Sequence, residues 1–272
     1  MKRIFTSLLA IALMSCTSQN QSSKETQNDW TQLFNGKDLT GWDTYIGADS
    51  LGLNNDPNKV FSVAEVDGES VLRISGQQFA GISTTQEFEN FHLQLQFKWG
   101  ELKWPPRENS KRDSGVLYFA GGKHGVDANA WMRSQEFQVQ EGDTGDYWGV
   151  AGGAFEIPVV KDGENYIYDP SGELMPFSTI SEFGRHAIKN PDGESPTGEW
   201  NTIDIYCLGG TAVHMINGKV VMVLYNSSVV QDGTLVPLTK GKIQLQSEGA
   251  EVFYRNIQVE NINSLPEGVA SL

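Results

Sequence analysis

Apolar and polar residues alternate with period two along most of this chain, and that rhythm restricts it to sheet structure. In FHLQLQFKW, residues 91–99, one face holds Phe91, Leu93, Leu95, Phe97 and Trp99, and the other holds His92, Gln94, Gln96 and Lys98. A strand turns successive side chains to opposite faces, so such a segment buries one face and leaves the other polar. The same pattern runs through SGVLYFAG, QEFQVQEG, NTIDIYCLG, AVHMING, KVVMVLY, GKIQLQSEG and EVFYRNIQVE. Asp67-Gly68 and Asn217-Gly218, each between alternating runs, are the residues of tight two-residue hairpins. No segment keeps an apolar stripe at helical spacing for more than two turns. The expected architecture is all-β, two antiparallel sheets packed face to face.

The ends of the chain read differently. Lys2 and Arg3 precede an apolar run, Ile4 to Met14, too short to span a bilayer as a helix. It closes on LMSC, which resembles a bacterial lipobox. That resemblance implies a signal peptide over residues 1–15, cleavage before Cys16, and lipidation of the Cys16 thiol. A plain secretory signal is the alternative. Residues 16–28 are polar and aperiodic, a solvated tether. The folded domain is expected over 29–262, with a tail over 263–272. Lipid anchoring would hold the domain in the cell envelope, facing the periplasm or the outer surface.

Cys207 is then the one remaining cysteine, so no disulfide framework is expected within the chain. In TIDIYCL it reads as a small buried hydrophobe. The formal net charge is −14, which argues against nucleic acid and anionic lipid surfaces as partners, since both call for basic surface.

Three strands carry polar faces in matching alternation: Gln94, Gln96 and Lys98; Glu136, Gln138 and Gln140; Gln244, Gln246 and Glu248. Such faces suit a groove that hydrogen-bonds a polyhydroxylated ligand; plain solvated outer faces are the alternative. Two segments break the strand rhythm. Gly100 to Gly115 is a Pro-broken basic loop containing Arg112, and Val159 to Trp200 is a long excursion bearing Tyr166, Phe177, Phe183, Arg185 and His186. Long irregular segments in a compact domain are commonly functional, and both read as walls or lids of the groove.

LFNGKDLTGW (33–42), NFHLQLQFKWG (90–100), DSGVLYF (113–119), EFQVQEGDTGDYW (136–148), GEWNTIDIYCLGGTAVHMINGKVV (198–221) and GKIQLQSEGAEVFYRNIQV (241–259) follow one another in order. Over about Trp30 to Glu260, the chain resembles the 3-keto-disaccharide hydrolase domain family. The resemblance implies a concanavalin-like jelly roll and action on glycosides whose glucose unit has been oxidised at C3, supplied by a sugar 3-dehydrogenase. Two departures from the family pattern stand out: Asp113 where Asn is commoner, and the long 159–200 segment.

A 3-keto sugar opens a route to bond cleavage by elimination. The carbonyl acidifies the hydrogen on C2, a base removes it, and the C1 oxygen leaves; water can then add. The route needs a base near C2, a positive or hydrogen-bonding group at the C3 oxygen, and an acid for the leaving group. Lys98 is the candidate enolate stabiliser, Glu136 the candidate base or acid, and His186 a base carried in on the long loop. Gln138, Gln140, Arg112, Glu248, His124 and Trp148 are candidate substrate contacts, Trp148 by stacking. A divalent ion, held by Asp143 and Asp146 with His124 or His186, is a further option, although no ligand spacing of a known metal site occurs. His92 and His214 fall on strands. The alternatives to this enzyme are a non-catalytic glycan-binding lipoprotein and a conventional glycosidase with paired carboxylates.

Overall fold

The computed structural model describes Met1 and residues 30–269, and within these the chain is an all-β jelly-roll sandwich of two antiparallel sheets. The segments expected to be the signal peptide, with Cys16, and the tether fall on residues 2–29, outside the described residues. Among the described residues the one helical turn is a 3-10 segment, Ala48–Ser50.

One sheet runs, in spatial order, His186–Ala187, Tyr147–Val150, Arg133–Gln140, Asp113–Gly121, Lys240–Ser247, Ala80–Thr84, Trp42–Ile46 and Gly52–Leu53. The other runs Asn165–Tyr168, Gly153–Asp162, Lys219–Gln231, Thr211–Ile216, Asn201–Leu208, Phe91–Lys103, Ala250–Asn261, Glu69–Ile74 and Phe61–Val66. The alternation seen in sequence fixes which face of each strand is dry. Phe91, Leu93, Leu95 and Phe97 from one sheet join Val116, Tyr118, Phe137 and Val139 from the other in a single core. Each such side chain contributes roughly 1.5–3 kcal/mol on burial. Cys207 lies in this core and its thiol is pushed up by burial, so it packs as a small hydrophobe. His214 is fully buried between the sheets, with Nε2 2.9 Å from the Tyr118 hydroxyl and Nδ1 3.2 Å from the Gly145 carbonyl. Burial takes it down to about 3, so it is a neutral core residue.

Both two-residue hairpins form where expected. Val66 pairs with Glu69 and Ile216 with Lys219. Asp67 and Gly68, like Asn217 and Gly218, have positive φ, the geometry of a type I′ turn. The 159–200 segment is more ordered than a loop. It begins inside the Gly153–Asp162 strand, adds Asn165–Tyr168 and Glu173–Phe177 alongside it, and then crosses to the first sheet as its edge strand, His186–Ala187. Tyr166 contacts Phe177 and Phe183 edge-on, which anchors the crossing.

The three polar strand faces do not form one surface. Arg133–Gln140 and Lys240–Ser247 belong to the first sheet, flanking Asp113–Gly121, whereas Phe91–Lys103 belongs to the second. With Phe97 and Trp99 turned to the core, Lys98 points out from the far side of the sandwich.

Candidate active site

The polar face of the first sheet carries a cavity of about 360 Å³. Its floor follows from register. Arg133–Gln140 lies beside Asp113–Gly121, with Glu136 opposite Leu117, Gln138 opposite Gly115 and Gln140 opposite Asp113; Lys240–Ser247 brings Gln246 and Glu248 along the other side. Because Phe137 and Val139 are spent on the core, Glu136, Gln138 and Gln140 all turn to the cavity. One wall is the 122–132 segment, held down by Trp131, whose indole stacks on Phe79 and donates to the Ala80 carbonyl at 3.1 Å. Another is Arg107 from the basic loop. The last is formed by Asp146, Trp148, Arg185 and His186.

Within the cavity the charged groups are mostly tied to one another. Arg107 bridges Asp113 and Glu248. Gln140 Nε2 donates to Asp113 Oδ2 at 2.5 Å. Burial and the adjacent Glu248 push Asp113 up to about 8 against the pull of Arg107. Arg185 Nη1 lies 3.2 Å from Asp127 Oδ2, and its guanidinium sits over the Trp148 ring. Asp146 Oδ1 accepts from the Lys189 amide and Oδ2 from His186 Nε2, both at 2.9 Å. The His186 ring stacks on Trp148 with centroids 4.2 Å apart. With Asp146 accepting the Nε2 proton, the neutral ring keeps its lone pair on Nδ1.

Glu136 is the exception. It is 6 % exposed, yet it makes no hydrogen bond or ion pair among the described residues. Burial, reinforced by the Glu248 and Asp113 carboxyls, holds it well above the usual carboxylate range, which favours its protonated form. Three more buried atoms here lack protein partners: Arg107 Nε, Asp113 Oδ1 and Gln246 Oε1.

The structure brings together Glu136, His186, Gln138, Gln140, Trp148, Glu248, Asp143 and Asp146, and leaves three expected residues out. Lys98 binds Asp67 Oδ2 at 3.0 Å on the outer face of the other sheet. Arg112 alternates away from the cavity before Asp113, and its guanidinium binds Glu141 and the Gly100 carbonyl. His124 stacks on Tyr45, centroids 5.2 Å apart, four strands along the sheet from Glu136. Trp148 is engaged by His186 and Arg185, so it serves first to fix those two groups. Among the described residues no group of three or more His, Cys, Asp or Glu side chains is placed to hold a metal ion. Asp146 is occupied as above, and Asp143 pairs with Lys111 at 2.6 Å.

Arg107, Asp113, Asp127, Arg185 and Gln246 went unselected in the sequence. Asp113 had a signal, as the position that departs from the family pattern. Gln246 had one as the alternate of Gln244 and Glu248. Arg107 and Asp127 sit in irregular segments that carry no periodicity to read.

Comparison with solved structures agrees on the fold. A provisionally assigned glycosyl hydrolase from Parabacteroides distasonis is 19% identical, with 86% of this chain and 94% of that chain covered and a TM-score of 0.50. A second from the same organism is 23% identical, covering 86% and 100%, with a TM-score of 0.49. A Bacillus subtilis protein of unknown function with a galectin-like fold is 15% identical, covering 81% and 89%, with a TM-score of 0.41. At these identities the likeness is one of fold. No curated protein matches the chain. The family described as the 3-keto-alpha-glucoside-1,2-lyase-like domain matches residues 29–260, which takes in both sheets and every residue of the cavity. This chain therefore belongs to the 3-keto-alpha-glucoside-1,2-lyase-like domain family.

Proposed function

We propose that the protein cleaves the glycosidic bond of 3-keto-glucosides by elimination, with Glu136 as the acid and His186 as the base. The observation that carries this is the buried, unpartnered Glu136 carboxyl, whose protonated form burial favours, in the same cavity as an imidazole within hydrogen-bond reach of Asp146. Elimination asks for that pair. His186 Nδ1 takes the proton from C2, the C2–H electrons form the C1–C2 double bond, and the C1–O bond breaks toward the leaving oxygen. Glu136 gives that oxygen its proton. Charge that builds on the C3 oxygen meets Arg107, the cation on the cavity wall. Addition of water across the new double bond, with the two residues exchanging roles, gives net hydrolysis; early release of the unsaturated sugar gives a lyase.

This assignment differs from the sequence expectation in two respects, the first being that Glu136 acts as the acid alone, because its surroundings favour the protonated form. Arg107 takes the place expected of Lys98. Gln138 and Gln140 serve as sugar contacts, and the substrate comes from a dehydrogenase that oxidises C3. Turnover of a 3-keto-glucoside deuterated at C2 tests the route. A primary isotope effect on aglycone release supports C2 proton abstraction, and full rate with the deuterated substrate refutes it.

A further inference from the structure

We infer that Lys189, which lies outside the cavity lining, is a positioning residue that sets the His186 imidazole for proton transfer by holding Asp146 in place. The inference rests on the role of His186 proposed above. Asp146 closes the turn that begins at Gln140, where the Asp143 amide donates to the Gln140 carbonyl at 2.8 Å and the Asp146 amide to the Asp143 carbonyl at 3.1 Å. A carboxylate on a turn is only as fixed as the turn that carries it. Lys189 holds this turn at both ends. Its amide donates to Asp146 Oδ1 at 2.9 Å, and its Nζ donates to the Gly142 carbonyl at 2.7 Å. Glu194 adds a second grip on Gly142, accepting from that amide at 2.8 Å. The lysine stem lies over Gly145. A Cβ on Gly145 would fall 3.3 Å from Lys189 Cδ and 2.9 Å from Val221 Cγ2, and the residue has φ +105°, so glycine there leaves the stem its path.

Lys189 is 9 % exposed and is the one buried lysine among the described residues. Burying an ammonium is costly, and an apolar side chain of similar volume fills such a space at least as well. Its ion-pair partner, Asp192 Oδ1 at 3.5 Å, is largely exposed, so that pair offsets little of the cost. What the ammonium does that an apolar end could not is hold the Gly142 carbonyl, at the other end of the turn from Asp146. With the turn fixed at both ends, Asp146 Oδ2 stays within 2.9 Å of His186 Nε2 and keeps the ring proton there, which leaves Nδ1 to accept.

The test combines 15N NMR of the His186 ring with a double-mutant cycle on turnover of a 3-keto-glucoside. The ring signals are assigned by their loss in His186→Gln and recorded where the imidazole is neutral. The wild-type protein should carry the proton on Nε2. Lys189→Met keeps the amide and the stem and loses the ammonium. It should show both tautomers, with kcat lower by roughly 5- to 20-fold and KM within about twofold. Added to Asp146→Asn, the same change should cost less than about twofold more in kcat, because the carboxylate it steadies is already gone. Thermal melting checks the fold of each variant. If Lys189→Met does not fold, Glu194→Ala, which frees Gly142 from its other bond, replaces it with the same expectations. An unchanged tautomer, or a kcat loss that multiplies in full on that of Asp146→Asn, overturns the inference. Mixed tautomers in a protein whose wild type does not turn over keto-glucosides uphold the hold on His186 and sink the catalytic proposal alone. Turnover with an unchanged tautomer does the reverse.

Discussion

Glu136→Gln separates the two things that burial does to this carboxyl. In the folded protein Glu136 stays protonated well above its ordinary range, whereas in the unfolded chain it ionises near 4.5. Over the interval between those values the folded state holds one more proton than the unfolded state, so raising the pH costs stability. The contribution is fully present below about 4.5 and is lost as pH rises through the folded value. One group of this kind changes stability by roughly 1.4 kcal/mol per pH unit. Glutamine is of similar shape, does not titrate, and breaks no hydrogen bond, because Glu136 makes none among the described residues. The variant should thus gain on the wild type in stability as pH rises from about 5 to about 7, by up to roughly 1.4 kcal/mol per pH unit. Asp113 and Glu248 titrate in both proteins and largely cancel in the difference. The same substitution removes the acid, and turnover of a 3-keto-glucoside should fall by roughly 10²- to 10⁴-fold. Urea unfolding at the two pH values, with single-turnover rates at about pH 7, reads both effects. A stability gap that does not widen with pH, or a variant that turns over at the wild-type rate, refutes the assignment of a buried neutral acid.

Asp146→Asn leaves the cavity lined but weakens the hold on the His186 tautomer; kcat should drop by roughly 10²-fold or more, with KM little changed. Arg107→Met leaves Asp113 and Glu248 side by side without their cation. Discounting for the partly exposed guanidinium, the protein should lose roughly 1–3 kcal/mol in denaturant titration at neutral pH, and less at about pH 4, as the carboxyls take up protons. Lys98→Ala, on the far face, should leave turnover within roughly twofold of the wild type; a larger loss would return Lys98 to the chemistry.

The sandwich was legible because alternation is a local property and the core enforces it. The Phe91–Lys103 strand, the two hairpin turns, the buried Cys207 and the polar face of Arg133–Gln140 all stand where the pattern puts them. What alternation does not encode is which sheet a strand joins. Lys98 and Glu136 look equivalent in sequence, and the sandwich places them on opposite outer faces. Arg112 and Arg107 share one loop, and only the path of that loop decides which guanidinium enters the cavity. His186 could be singled out as a loop histidine. Its partner Asp146 became visible only when the edge strand His186–Ala187 closed against Tyr147–Val150. The upward shift of Glu136 comes first from burial and then from Glu248 and Asp113, distant in sequence and close in the cavity, so sequence suggested a perturbed carboxyl without deciding between acid and base.

The most direct measurement is aglycone release, followed by mass spectrometry, when the protein is incubated with 3-keto-glucosides and with their unoxidised parents. Release from the keto forms alone is the predicted result, since only they carry the acidified C2 hydrogen. Release from the parents at a comparable rate would contradict the elimination route in favour of paired-carboxylate hydrolysis. Binding without release from either would make the cavity a glycan-binding site.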